Sequence, residues 1–230
     1  MGVPGFFKWL LRKNKRMLVK QLNFKPNILY IDANCLFHPQ CFNVLEKYNK
    51  EKIEIHKELN HQAKMSCEVI EDLESVMIDE IIKYIEYIIK ISNTSCTYIA
   101  VDGCAPASKL NQQRKRRYMS HLTNKFKLDI KKKYNKEDFY EWSNTVITPG
   151  TIFMEKLHLA IINYINQKRN IIYSSYHTPS EGEHKILQHI KNNHNTNIVI
   201  YGLDADLIFL SMASYADIHL MRESNNVFFS

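Results

Sequence analysis

The chain has 230 residues, 45% of them hydrophobic, enough to bury a full core and to exclude disorder as its main state. Lys and Arg number 31 against 24 Asp and Glu, a formal charge of +7, but eleven basic side chains and one acid, Asp129, lie between Lys109 and Lys136, so that stretch carries +10 and the rest of the chain −3. No apolar run approaches the roughly 18 to 20 residues of a membrane span, and five cysteines without a Cys-x-x-Cys pair point to reduced thiols in a cytoplasmic setting, with nuclear or virion-associated placement left open.

In chain order, the first clear element is an apolar run from Ile28 to Ile31, read as a buried strand that ends on Asp32. His38 follows at a strand-to-helix junction, where taken alone it reads as a structural polar residue. Residues 49–64 are charged and poorly periodic, which predicts a loop or insertion. From Val69 to Ile91 the stripe Leu73, Met77, Ile81, Tyr84 and Ile88 predicts one long helix. A second strand, Cys96 to Val101, ends on Asp102. The basic stretch begins at Lys109, where helical spacing puts Lys109, Gln113 and either Arg116 or Arg117 on one face, a cluster of phosphate-binding size. Farther along, Lys125, Lys127, Lys131, Lys132, Lys133 and Lys136 interleave with Phe126 and Tyr134, either as a track for a polyanion or as a solvated surface. Pro149 and Gly150 close a loop before a helix from about Thr151 to Lys168. A third strand, Asn170 to Tyr173, leads to Ser180 and Glu183 in capping-box spacing ahead of another helix. The fourth strand, Asn197 to Tyr201, is followed by Asp204 and Asp206.

Short strands rich in Ile, Val and Tyr that alternate with helices indicate the α/β class, with a mostly parallel central sheet flanked by helices. One domain over 1–230 is the simplest division. In a parallel sheet Asp32, Asp102, Glu181, Glu183, Asp204 and Asp206 all lie beyond the carboxyl ends of the strands, where such folds place their sites. Any one of them has an ordinary alternative: Glu183 as a cap partner, Asp102 as a turn residue, Asp204 as a helix cap. Together they suggest a shared centre. Six carboxylates in one cleft repel one another, and Mg²⁺, which takes oxygen ligands and substrate phosphates, relieves that repulsion, two ions suiting the set better than one. The chemistry implied is hydrolytic phosphodiester cleavage.

Tyr30-Ile-Asp-Ala-Asn-Cys-Leu-Phe-His38, Val101-Asp-Gly-Cys-Ala-Pro106, Lys109-Leu-Asn-Gln-Gln-Arg-Lys-Arg-Arg117, Ile147-Thr-Pro-Gly-Thr-Ile-Phe-Met154, Pro179-Ser-Glu-Gly-Glu-His-Lys185 and Tyr201-Gly-Leu-Asp-Ala-Asp-Leu207, preceded by Met1-Gly-Val-Pro-Gly-Phe-Phe-Lys-Trp-Leu10, resemble in order the amino-terminal nuclease region of the Xrn family of 5′→3′ exoribonucleases. The resemblance covers nearly the whole chain. It implies a PIN/flap-nuclease-like fold and processive, Mg²⁺-dependent removal of mononucleotides from single-stranded RNA bearing a 5′ monophosphate, with Mn²⁺ as a substitute ion. By position, the six acids would be metal and catalytic residues, Lys109, Gln113, Arg116 and Arg117 the 5′-phosphate pocket, and His38 a stacking platform for the first base. The family carries a further metal-binding aspartate and a large second region after the matched stretch, so the nuclease region is expected to be incomplete at its carboxyl end. Where the family usually has Arg after Ala-Pro, this chain has Ala107. The alternatives are a catalytically weak RNA-binding remnant and a related flap-type DNA nuclease.

Overall fold

A computed structural model of the protein describes residues 5–19, 22–59, 67–134, 142–193, 197–214, 216–224 and 227–229. Met1 to Pro4 and Lys136 lie outside them. After a short amino-terminal helix, α1 (Phe6–Lys13), the order is β1 (Ile28–Asp32), α2 (Asn34–Leu59), α3 (Cys67–Ser92), β2 (Cys96–Ala100), α4 (Ala107–Lys133), α5 (Ile152–Asn166), β3 (Ile171–Ser174), α6 (Gly182–Asn193), β4 (Ile198–Tyr201), α7 (Asp206–Ala213), β5 (Ile218–Ser224) and β6 (Val227–Phe229). No helix among the described residues is long and apolar enough to cross a membrane.

The sheet runs β3-β2-β1-β4-β5-β6. The first five strands are parallel, and β6 returns antiparallel to β5, pairing Glu223 with Phe228. Alternation along the strands divides the core in two. Leu29, Ile31, Ile99 and Val199 face a layer that includes Leu36 and Phe37 of α2, Met77, Ile81 and Ile85 of α3, and Phe153 and Leu157 of α5. Tyr30, Tyr98 and Ile200 face Ile186 and Ile190 of α6 and Leu207 of α7. With helices on both faces, the central strands β1, β2 and β4 are buried on both sides, which is why they read as unbroken apolar runs. Strand β1 is central; the chain moves outward through β2 on one side and β4 on the other. The carboxyl end of β1 is therefore the topological switch point of the sheet.

Three local expectations are corrected. The charged segment from residue 49 is helical as far as Leu59, and residues 60–64 lie outside the described set. Lys and Glu are good helix formers, and pairs such as Glu46 and Lys50, 2.9 Å apart at i,i+4, support a helix without apolar periodicity. The capping box at Ser180 does not form. Helix α6 begins at Gly182, and Ser180 lies outside it in the left-handed region, φ 97°. The two strands at the carboxyl end were not foreseen, because His219, Arg222 and Glu223 break the apolar pattern of β5.

Candidate active site

Four loops meet at the switch point. Asp32 ends β1 and is only 6% exposed. Beyond β2, the Asp102 amide donates to Asn34 Oδ1 of α2 at 2.9 Å. The next residues lie flat against the loop after β3: Gly103 N–H donates to the Ser180 carbonyl at 2.9 Å, and Ser180 N–H to the Cys104 carbonyl at 3.0 Å. A Cβ at Gly103 would run into the Thr178 carbonyl, so only glycine allows this approach. Glu181 and Glu183 are thereby held beside Asp102. Between them, Gly182 donates its amide to Asp102 Oδ1 at 2.6 Å, and a Cβ there would stand 2.8 Å from Asp32 Oδ1. On the other side of β1 the turn after β4 presents Asp204 and Asp206. The cap position of α7 is Ala205, with no side-chain capping bond, so the Asp204 carboxylate does not cap that helix.

Crowding is visible in the electrostatics. The Asp32 carboxyl is held well above the usual carboxylate range, first by burial and then by the charges of Asp102, Asp204, Glu183 and Glu181. Burial also raises Asp102, against the stabilising Gly182 amide, and raises Glu183. Cations from separate elements offset part of the charge. Lys185 is 5% exposed and donates to the carbonyls of Val101 at 2.7 Å and Ser175 at 2.9 Å. Burial draws its ammonium down to about 8, with Asp102 opposing. Lys109 Nζ lies 3.2 Å from Glu181 Oε1; burial opposes its charge, but that partner together with Glu183 and Asp206 raises its pKa. Arg222 of β5 donates to the backbone carbonyls of Leu203 and Asp204.

The donor set suits a hard divalent ion. Donor atoms of Glu181, Glu183 and His184 lie within 4.8 Å of one another, with His184 Nδ1 3.8 Å from an oxygen of each glutamate. Around them are buried carboxylates whose protonated form is favoured only while their charge lacks a counter-ion.

The same cleft, about 680 Å³, is lined by all six acids and by Lys109, Gln113, Arg116, Arg117 and His38. Helix α4 buries no residue, so its amino-terminal turns form one wall of the cleft and the remainder carries Lys125, Lys127, Lys131, Lys132 and Lys133. His38 stays solvent-accessible, and local burial with the nearby Arg116 charge lowers its pKa. Sequence reasoning missed Asn34, Gly182, Lys185 and Arg222. A lysine early in a helix reads as solvated; the available signal was that Lys185, Ile186 and Ile190 share one helical face. Asn144, Thr145 and Thr148, which also line the cleft, read only as loop.

The sequence profile described as "XRN 5'-3' exonuclease N-terminus" matches residues 1–224. The chain is 35% identical over 97% of its length to the protein named 5'-3' exoribonuclease 1 of Schizosaccharomyces pombe, of which it covers 17%. It is 31% identical to 5'-3' exoribonuclease 2 of Arabidopsis thaliana, over the whole chain and 26% of that relative. To human 5'-3' exoribonuclease 1 it is 31% identical, over 97% of the chain and 13% of the relative. The chain thus spans about a quarter or less of the curated relatives it matches.

Proposed function

The chain belongs to the XRN 5′-3′ exonuclease family, whose amino-terminal region it matches over residues 1–224, and on that premise we propose that it is a metal-dependent 5′→3′ exoribonuclease that hydrolyses single-stranded RNA carrying a 5′ monophosphate. One observation carries the reading: six carboxylates from four strand ends and the basic face of α4 line a single cleft, with Lys109 in contact with Glu181. An anion recognised by the basic face would lie within one nucleotide's reach of the acids.

Asp32, Asp102, Glu181, Glu183, Asp204 and Asp206 would hold Mg²⁺, two ions on the charge argument, with Mn²⁺ able to replace it. When bound, such ions lower the pKa of an attacking water and stabilise the leaving oxygen. The residues of the chain do the rest. Arg116, Arg117 and Lys109 grip the terminal phosphate, with Gln113 as a neutral donor. His38, accessible at the cleft wall, stacks on the first base. Gly182 holds the Asp102 carboxylate through its amide, and Lys185 ties together the backbone at Val101 and Ser175 on which the loops are mounted. Water oxygen adds to phosphorus, the bond to the 3′ oxygen breaks, and that oxygen takes a proton. The product is a 5′ mononucleotide, and the shortened RNA again carries a 5′ monophosphate, so the same pocket can receive it. The exposed lysines of α4 would attract the rest of the strand through a salt-sensitive, sequence-independent term.

Incubation of the purified protein and Mg²⁺ with 5′-labelled RNA should release labelled mononucleotide. Release should stop after Asp204→Asn or Asp206→Asn while RNA binding persists, and should fall when the 5′ end is a hydroxyl. Binding without turnover at any metal concentration would replace this reading with an RNA-binding remnant, and preference for DNA of the same sequence would replace it with a flap-type nuclease.

A further inference from the structure

The amino-terminal helix carries no chemistry of its own, yet its aromatic side chains lie next to the loop that bears Asp204 and Asp206. Strands β4 and β5 are in register up to Tyr201 and Met221, after which β4 ends and the loop leaves the sheet. Arg222 is the next residue of β5. Its guanidinium turns beneath that loop, Nη2 donating to the Leu203 carbonyl and Nη1 to the Asp204 carbonyl at 3.4 Å. The Phe7 ring of α1 lies against it, 4.4 Å from ring centroid to Cζ. At the far end of the loop, Phe6 of α1 stacks on Phe209 of α7 with centroids 4.6 Å apart. The cap position of α7, Ala205, makes no side-chain capping bond.

We propose, resting on the nuclease reading above, that Arg222 is a positioning residue: seated against Phe7, its planar fork sets the Leu203–Asp204 backbone and so the placement of the Asp204 and Asp206 carboxylates toward metal. A guanidinium presents its donors in one rigid plane that can match two successive carbonyls, whereas the donors of an ammonium turn on a flexible stem and fix no plane. Stacking on an aromatic ring fixes the plane of that fork. The amino-terminal aromatic motif then has a role in the site without touching substrate.

Positioning and simple charge compensation predict opposite signs. If Arg222 merely offset the acids, Arg222→Met would leave the site more negative and bind Mg²⁺ more tightly. Positioning predicts weaker binding, by about 10-fold, as when an outer partner of a metal ligand is lost. Calorimetric Mg²⁺ titration of wild type, Arg222→Met, Arg222→Lys and Phe7→Leu separates them. The expected result is weaker binding in all three variants, smallest in Phe7→Leu, with kcat reduced and KM for RNA unchanged. Equal or tighter binding in Arg222→Met overturns the proposal; if that variant does not fold, the same criterion is applied to Phe7→Leu. Amide hydrogen exchange of the metal-free protein supplies a readout independent of metal: protection of the Gly202 and Ile208 amides, bonded to the Met221 and Ala205 carbonyls at the two ends of the loop, should fall in Arg222→Met, and unchanged exchange there also overturns it. Absence of Mg²⁺ binding by the wild type would count against the nuclease reading, while the exchange result would still decide the role of Arg222.

Discussion

Replacing the hydrogen of Gly182 by a methyl group tests how tightly the acids are held. In Gly182→Ala the new Cβ would stand 2.8 Å from Asp32 Oδ1, where ordinary contact begins near 3.4 Å. Something must move by about 0.6 Å, and Asp32, at the end of a strand buried along its whole length, is the less able to do so. Helix α6 therefore shifts outward. The same displacement stretches the 2.6 Å bond from Gly182 N–H to Asp102 to about 3.2 Å and carries Glu181 and Glu183 with it. Metal sites tolerate about 0.2 Å in ligand distance, so Mg²⁺ affinity should fall by about 10- to 100-fold. Global stability should change far less. Overpacking costs about 1–3 kcal/mol and the higher helix propensity of Ala returns up to about 1 kcal/mol, a fall of a few degrees in Tm for a chain of this size. Calorimetric Mg²⁺ titration beside thermal melts separates the two quantities. Affinity within twofold of wild type would refute the claim that Gly182 sets the spacing of the acids.

Other expectations follow from the charges. Because Asp32, Asp102 and Glu183 are raised in the fold, the stability they contribute without metal is fully present below the ordinary carboxylate range of about 4 and is lost as pH rises through their raised values. Mg²⁺ should consequently raise Tm more at pH 7.5 than at pH 5, and an equal rise at both would contradict it. Lys185 runs the other way: its ammonium is drawn down to about 8, so the unfolded chain binds more protons between that pH and the ordinary lysine value of about 10.4, and its contribution to stability grows with pH across that window. Subtracting the denaturation profile of Lys185→Met from that of wild type should reveal this slope. Lys109→Met should raise KM for 5′-phosphorylated RNA by about 10-fold or more, the worth of a charged hydrogen bond, and leave 5′-hydroxyl RNA nearly unaffected; an equal change for both ends would remove Lys109 from phosphate recognition.

The parallel sheet was legible because strands buried on both faces must be apolar throughout, and Ile28–Ile31 or Asn197–Tyr201 can be little else. Placing acids after those strands needed only the rule that parallel strands share a carboxyl edge. What the sequence concealed were interactions between loops distant along the chain. Asn34 meets the Asp102 amide and Gly182 the Asp102 carboxylate, across 68 and 80 residues, and neither pairing leaves a periodic signature. Strand β5 was hidden because Arg222 and Glu223, whose partners lie on other elements, interrupt its apolar pattern. Glu223 accepts from the hydroxyls of Tyr84 and Tyr201, and Arg222 donates to the backbone of the loop after β4. The later part of helix α2, from residue 49 to Leu59, was hidden because charge without periodicity resembles a loop, although paired Lys and Glu favour a helix.

On the proposed reading the positive charge of the site is divided between fixed and exchangeable groups. Six carboxylates share the site with Lys109, Arg116 and Arg117 of α4, with Lys185 of α6 and with Arg222 of β5. The cations are not interchangeable in this balance. Lys185 and Arg222 are tied to backbone carbonyls and stay in place, whereas Lys109, paired with Glu181 Oε1, can change its partner from carboxylate to phosphate. Transfer of Lys109 from Glu181 to a 5′ phosphate would free a carboxylate oxygen for metal at the moment substrate arrives. Phosphate-bearing RNA should on that account tighten Mg²⁺ binding in wild type and lose that effect in Lys109→Met, and calorimetric titrations of Mg²⁺ with and without a non-hydrolysable 5′-phosphorylated oligonucleotide would measure the coupling directly.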